Sequence, residues 1–127
     1  MSRYVMALDQ GTTSTRAIIF DHDGSIVSSS QREHQQIMPQ AGWVEHDPQE
    51  IWTNSQEVIA TALSDAGLTR EDIVALGIAN QRETAIVWDK RTGEPLYNAI
   101  VWQDTRTQPL IDALAKDEGT GRFSHKT

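Results

Sequence analysis

The chain has 127 residues, 38% of them hydrophobic and 23% charged, which suits one domain or part of one with a real core. A net charge of −7 and a pI near 4.9 argue against nucleic acid or an anionic membrane as partner. The sequence has no apolar window long enough for a membrane helix, no signal-peptide core in MSRYVMALDQ and no cysteine, so thiol chemistry is excluded and a cytoplasmic protein is expected.

Two short apolar runs, residues 5–8 and 17–20, predict strands joined by a tight turn within LDQGTTSTR (8–16). The turn holds one acid, one glycine and four hydroxyls (Thr12, Thr13, Ser14 and Thr15), followed by Arg16. That composition suits a polyphosphate. Gly11 lets the backbone come close, N–H groups and hydroxyls donate to phosphate oxygens, and Arg16 offsets charge. Asp9, ending the first strand, could hold a hydrated Mg²⁺, which keeps most of its waters. Most Gly-Thr-Thr hairpins bind nothing, so a plain solvated turn is the alternative. Neither a Walker A pattern nor G-x-G-x-x-G occurs, which removes the P-loop and Rossmann classes.

Residues 25–30 predict a third strand after the turn His22-Asp23-Gly24, and a loop is expected over 33–45. Asp47-Pro48-Gln49-Glu50 then reads as a helix start, with Asp47 capping, Pro48 in the first position and Glu50 completing a capping box. The stripe Ile51, Trp52, Val58, Ile59, Ala62 and Leu63 is expected to be buried, and Gly67 to end the helix. Residues 74–79 are continuously apolar and predict a parallel strand buried on both faces. Residues 84–88 and 99–102 predict two more short strands, the first closed by a turn at 89–93. A last helix, beginning between 104 and 107 and ending near Lys116, is expected to bury Leu110, Ile111 and Leu114. The order β-β-β-α-β implies an α/β fold with a mixed sheet.

A second polar cluster, Asn80-Gln81-Arg82-Glu83-Thr84, falls at the carboxyl end of the apolar strand, where open α/β sheets bind ligands. Arg82 donates and Glu83 accepts, so the pair could hold a polyol; a solvated linker with an internal Arg–Glu ion pair is the plainer reading. Trp102 could offer an apolar wall to a small carbon backbone, or simply pack in the core. Trp43, Trp52 and Trp88 read as packing residues and Asp104 as a helix cap. His22, His34, His46 and His125 lack metal-ligand spacing and read as surface or loop residues.

The stretches ALDQGTTSTRAIIFD (7–21), GWVEHDPQEIW (42–52), LGIANQRETAIVWD (76–89) and YNAIVWQDTRT (97–107) together resemble the amino-terminal part of the FGGY family of carbohydrate kinases. NQRET resembles its glycerol-phosphorylating branch more than its xylulose kinases. The resemblance implies the ribonuclease-H-like, actin-like ATPase fold, with residues 1–127 as an incomplete first domain and a second domain absent. It implies ATP and Mg²⁺ as cofactors, glycerol as substrate and sn-glycerol 3-phosphate as product. By the same resemblance Thr12, Thr13, Ser14 and Arg16 would contact the nucleotide, with Thr12 also near the product phosphate, and Asp9 would place Mg²⁺ through water. Arg82 and Glu83 would bond glycerol hydroxyls, and Trp102 would pack on its carbons. The resemblance also implies a homo-oligomer at full length, with the general base beyond residue 127 and no catalytic residue here, so that residues 1–127 alone would be inactive. A pentulose kinase and a non-catalytic nucleotide-binding module are the competing readings. The segment 118–127 carries no stop signal or closing strand, and an exposed apolar sheet edge is expected.

Overall fold

The computed structural model describes residues 3–116; the segment 118–127 and His125 lie outside them. Three antiparallel strands open the chain: β1 (Tyr4–Gln10), β2 (Ser14–Phe20) and β3 (Ile26–Glu33). Each connection is short, so neighbours in sequence become neighbours in the sheet. The turn before β3 is closed by Asp21, whose carboxylate accepts from the N–H groups of Asp23 and Ser25 at 3.0 and 2.9 Å.

Helix α1 (Pro48–Ala66) then crosses the sheet and returns the chain to β5 (Ile73–Ala79), which pairs parallel with β1. The four-stranded order is β3-β2-β1-β5, a mixed sheet as expected. The core is the contact between this sheet and α1: Met6, Leu8, Ala17, Ile19, Val58 and Ala62, flanked by Tyr4, Ile59, Leu63, Ala66, Leu68 and Ile73. Strand alternation puts Met6 and Leu8 of β1 on the helix side and leaves Asp9 facing away. A second, two-stranded sheet pairs β4 (Glu45–His46) with β6 (Ala99–Ile100), and α2 (Gln108–Ala115) follows.

Several expectations change. Asp47 does cap α1, accepting from Gln49 N–H at 2.9 Å, but Glu50 does not close a capping box; its carboxylate accepts from the Gln35 N–H at 3.2 Å. Trp52 is 62% exposed rather than buried, and the buried face of the first turns of α1 is polar. There Asn54 donates to the Glu33 carbonyl at 3.2 Å and is itself buried. Trp88 is also exposed, and with Pro48, Ile86 and Pro95 it lines a shallow apolar recess beside Trp52.

β5 is parallel but sits at the sheet edge, so Val74, Leu76 and Ile78 on one face and Ala75 and Ala79 on the other stay exposed, and the expected exposed apolar edge is present among the described residues. Residues 84–88 make isolated bridges, Ala85 to Ile100 and Trp88 to Pro95, rather than a ladder. The residues Leu110, Ile111 and Leu114 of α2 are exposed rather than buried. β4 was missed altogether: two residues carry no periodicity to read.

Gly67 ends α1 at φ 64°, with its N–H on the Ser64 carbonyl at 3.0 Å. An added Cβ would meet nothing there, so only the left-handed backbone resists substitution. Gly67→Ala is therefore expected to cost about 1 kcal/mol, read as a lowered urea midpoint at unchanged slope.

Candidate functional site

One cleft of about 390 Å³ opens at the carboxyl ends of β1 and β5. Asp9, Gln10, Gly11 and Thr12 form one wall, Asn80, Gln81, Arg82 and Glu83 the other, and Trp102 closes an end. The parallel register makes this meeting unavoidable, because Asp9 stands opposite Ala79 and both chains turn immediately afterwards. The two polar clusters, 70 residues apart in sequence, thus become the two sides of one site.

The turn after β1 is tight. Gly11 N–H donates to the Ser14 carbonyl at 2.9 Å, and a Cβ on Gly11 would approach that same oxygen to 3.2 Å. Its carbonyls are tied from behind: that of Thr12 accepts from His34 Nε2 at 3.0 Å and Gln36 Nε2 at 3.1 Å, and that of Thr13 from the His34 N–H at 3.2 Å. Among the described residues, the N–H groups of Thr12 and Thr13 meet no acceptor. Tethered carbonyls and free amides give the turn the polarity that receives an anion.

Of the four hydroxyls, only that of Thr12 lines the cleft. Thr13 is exposed at the tip. Ser14 Oγ accepts from Gln31 Nε2 at 2.9 Å. Thr15 is no phosphate donor: it is fully buried on the helix side of β2, against Gln10 Nε2 at 3.4 Å. Arg16 lies outside the cleft lining, held by Gln31 Oε1 at 2.9 and 2.6 Å. It is the cross-strand partner of Asp9, so the two share the face away from α1. Asp9 is exposed and has no hydrogen-bond partner among the described residues. That leaves its carboxylate free for a hydrated Mg²⁺, and no described group of three or more His, Cys, Asp or Glu forms a protein-only cage.

Across the cleft, Arg82 and Glu83 are both exposed and make no ion pair with each other, so the linker reading with an internal pair is not what forms. Glu83 holds φ 57°, a left-handed conformation unusual for a residue with a side chain. Trp102 is not a core tryptophan: it is 52% exposed, and its Nε1–H donates to Thr12 Oγ1 at 3.0 Å.

Two buried clusters support the site, and sequence reasoning missed both. His34 and His46 are buried, not surface residues; their rings meet edge-to-face at 4.4 Å. His46 Nε2 donates to Gln36 Oε1 at 2.7 Å. Burial, and then His34 beside it, hold His46 below the ordinary imidazole pKa, opposed by Gln81 and Glu50. The Gln81 carboxamide lies close by without closing a hydrogen bond of ordinary geometry.

The second cluster centres on Arg106. Its guanidinium reaches Asp104 Oδ2 and Glu45 Oε2, both at 2.7 Å, and stacks on Trp43 at 3.7 Å. Asp104 is therefore no helix cap; it bonds Arg106 and accepts from the Val44 N–H at 2.7 Å. Arg106 holds the Asp104 carboxyl down at about 2 against the opposing effect of burial. Burial alone would raise Glu45, but bonds from Asn98, Arg106 and Tyr97 leave it below the usual carboxylate range. These partners lie up to 61 residues apart, and their only sequence signal is their presence in the quoted stretches 42–52 and 97–107.

The profile of the FGGY family of carbohydrate kinases, N-terminal domain, matches residues 4–127, and the chain belongs to that family. It is 71% identical over 126 residues to glycerol kinase from Pseudarthrobacter chlorophenolicus, covering 99% of this chain and 25% of that one. Plasmodium falciparum glycerol kinase with ADP superposes with a TM-score of 0.82 at 39% identity, over 93% of this chain and 24% of that one. Gluconate kinase from Lactobacillus acidophilus gives 0.85 at 25% identity, over 99% and 25%. The chain thus spans about a quarter of the length of these relatives. Its mixed sheet is part of the first domain of the actin-like ATPase fold.

Arg106→Met strands two buried carboxylates, so a loss of about 3–5 kcal/mol is expected at neutral pH. The Asp104 pKa is lowered on folding, from 3.8 to about 2, so its contribution is full above pH 4 and fades as the pH falls through 2. Thermal unfolding from pH 5 to 2 should show the wild type losing more stability than the variant.

Proposed function

We propose that this chain is the amino-terminal part of an enzyme that transfers the γ-phosphoryl group of ATP to a terminal hydroxyl of glycerol, giving sn-glycerol 3-phosphate. The observation that carries the reading is the single cleft in which an amide-rich turn faces an Arg–Glu pair, with an indole between them. The turn offers the unengaged N–H groups of Thr12 and Thr13 while their carbonyls are bonded to His34 and Gln36, which suits a polyphosphate. The opposite wall offers a donor beside an acceptor, which suits vicinal hydroxyls. Trp102 presents an apolar face to the carbons that such hydroxyls leave over. The similarity to glycerol kinases supports glycerol as the polyol.

In this reading Thr12 donates its hydroxyl and N–H to a phosphate oxygen, near the position of the product phosphate. Thr13 and Ser14 contact the nucleotide from the turn's tip. Arg16 reaches it by exchanging Gln31 for a phosphate oxygen, since both contacts use the same guanidinium edge. Arg82 donates to one glycerol hydroxyl and Glu83 accepts from the next; together they orient the attacking oxygen, which is most of what phosphoryl transfer asks of a protein. Asp9 would hold Mg²⁺ through water, and the ion would neutralise phosphate charge. Among the described residues no carboxylate is placed as general base: Asp9 is assigned to the metal and Asp104 is locked to Arg106. The base, and with it turnover, belongs to the remaining three quarters of the family length. The same reading makes the enzyme a cytoplasmic homo-oligomer that acts on neither nucleic acid nor membrane.

A coupled ADP-release assay tests it. A form of full family length carrying this chain should turn over glycerol with Mg-ATP and not xylulose, while residues 1–127 alone should not. In the long form Arg82→Ala or Glu83→Ala should raise the glycerol KM about tenfold with less effect on the ATP KM, since each removes charge-assisted bonds to one substrate. Glycerol turnover by the short form, or equal effects on both substrates, would overturn the assignment.

A further inference from the structure

The bonds around Thr12 have a fixed polarity. A backbone carbonyl only accepts, so His34 Nε2 and Gln36 Nε2, at 3.0 and 3.1 Å from it, must both carry the hydrogen. With its amide nitrogen so engaged, Gln36 presents its oxygen to His46, whose Nε2 must then donate at 2.7 Å. The indole nitrogen of Trp102 also only donates, so Thr12 Oγ1 is the acceptor at 3.0 Å. Every partner of Thr12 therefore donates a hydrogen bond to it, and its own hydroxyl hydrogen is left to point elsewhere. Since Thr12 lines the cleft, a ligand oxygen is the acceptor that remains.

We propose that Trp102, with His34 and Gln36 behind the turn, is a positioning residue that fixes the Thr12 hydroxyl as a donor toward the phosphate, so that the wall of the polyol site and the phosphate turn are joined by one hydrogen bond. The inference rests on the functional reading above and extends it. Trp102 does two things there. Its ring face borders the polyol, and its N–H sets the phosphate contact 90 residues away in sequence. Filling one subsite then steadies the other, because a carbon backbone against the indole holds the ring that orients Thr12. His34 and Gln36 prevent the turn from following the ring, since they hold the Thr12 carbonyl from the opposite side.

A double-mutant cycle in the full-length protein separates this from a mere wall. Trp102→Phe keeps an aromatic face but removes the N–H together with the fused second ring, so the coupling to Thr12 and not the single change reports the bond; Thr12→Val keeps the shape and removes the hydroxyl. Trp102→Phe should weaken Mg-ADP binding, measured calorimetrically, and raise the ATP KM, each by about fivefold, the worth of one ordinary hydrogen bond. In the Thr12→Val background the same change should alter both by less than about twofold, because the shared bond is already gone. Trp102→Phe that shifts only the glycerol KM, or effects that multiply independently, would overturn the positioning role while leaving the glycerol kinase reading intact. Nucleotide binding with the expected coupling but no glycerol turnover would support the positioning and sink the substrate assignment. A protein that binds no nucleotide would sink both.

Discussion

The parallel pairing of β1 with β5 is the constraint on which the site depends. Parallel neighbours cannot be joined by a tight turn, so the chain must leave the sheet, cross it as α1 and re-enter from the same end. Both strands then finish on one edge, and whatever follows them is brought together whether or not the segments attract each other. With Asp9 opposite Ala79, the turn at 9–12 and the loop at 80–83 have little freedom to separate. Donors from one strand end and a mixed pair from the other meet because backbone hydrogen bonds in the ladder require it.

The third wall has no such ladder. β4 and β6 pair over only two residues each, too short to hold Trp102 by themselves. Arg106 supplies the hold by bridging Glu45 of β4 to Asp104, two residues past Trp102, while stacking on Trp43. Burying three charges is costly, and an apolar cluster of equal volume would often be as stable. What the charges add is direction: a planar guanidinium satisfied on both carboxylates admits one arrangement of the segment, whereas greasy side chains admit several. The placement of the indole nitrogen against Thr12 needs that definition, since a shift of one ångström would break a 3.0 Å bond.

The hairpins, the capped helix, the parallel strand and both polar clusters were legible because each is encoded locally, by period, by a turn pair or by Asp47-Pro48. The long-range pairings were not. Glu45 and Arg106 look like ordinary surface charges within their own windows, and only the fold reveals that they are buried together. His34 and His46 were misread for the same reason: their partners, Thr12 and Gln36, are loop residues with no periodicity. Burial was misjudged wherever an apolar run was taken to guarantee a cover. Trp52, most of β5 and the apolar residues Leu110 and Ile111 of α2 carry the pattern of packed elements, yet they are exposed. Apolar pattern reports what a segment can bury, and packing neighbours decide what it does bury.

If the proposed function holds, this acidic chain must receive a polyphosphate without help from its overall field. With a net charge of −7, these 127 residues supply no long-range attraction for an anion, and Asp9 and Glu83 add negative charge at the cleft itself. Affinity must then come from short-range dipoles whose orientation is set before the ligand arrives. The turn meets that requirement by exhausting its acceptors inward: the Thr12 and Thr13 carbonyls on His34 and Gln36, and the Thr12 oxygen on Trp102. Beside the Asp9 carboxylate, what the turn leaves unengaged is hydrogen: the Thr12 and Thr13 N–H groups and the Thr12 hydroxyl. A pre-oriented donor loses little entropy when it binds, so a few such groups can offset unfavourable net charge over the 390 Å³ they line. In the proposed reading the acidic walls would act as a filter, since a phosphate arriving with its charge neutralised by a cation would meet Asp9 as a partner and a bare one would meet it as a repulsion.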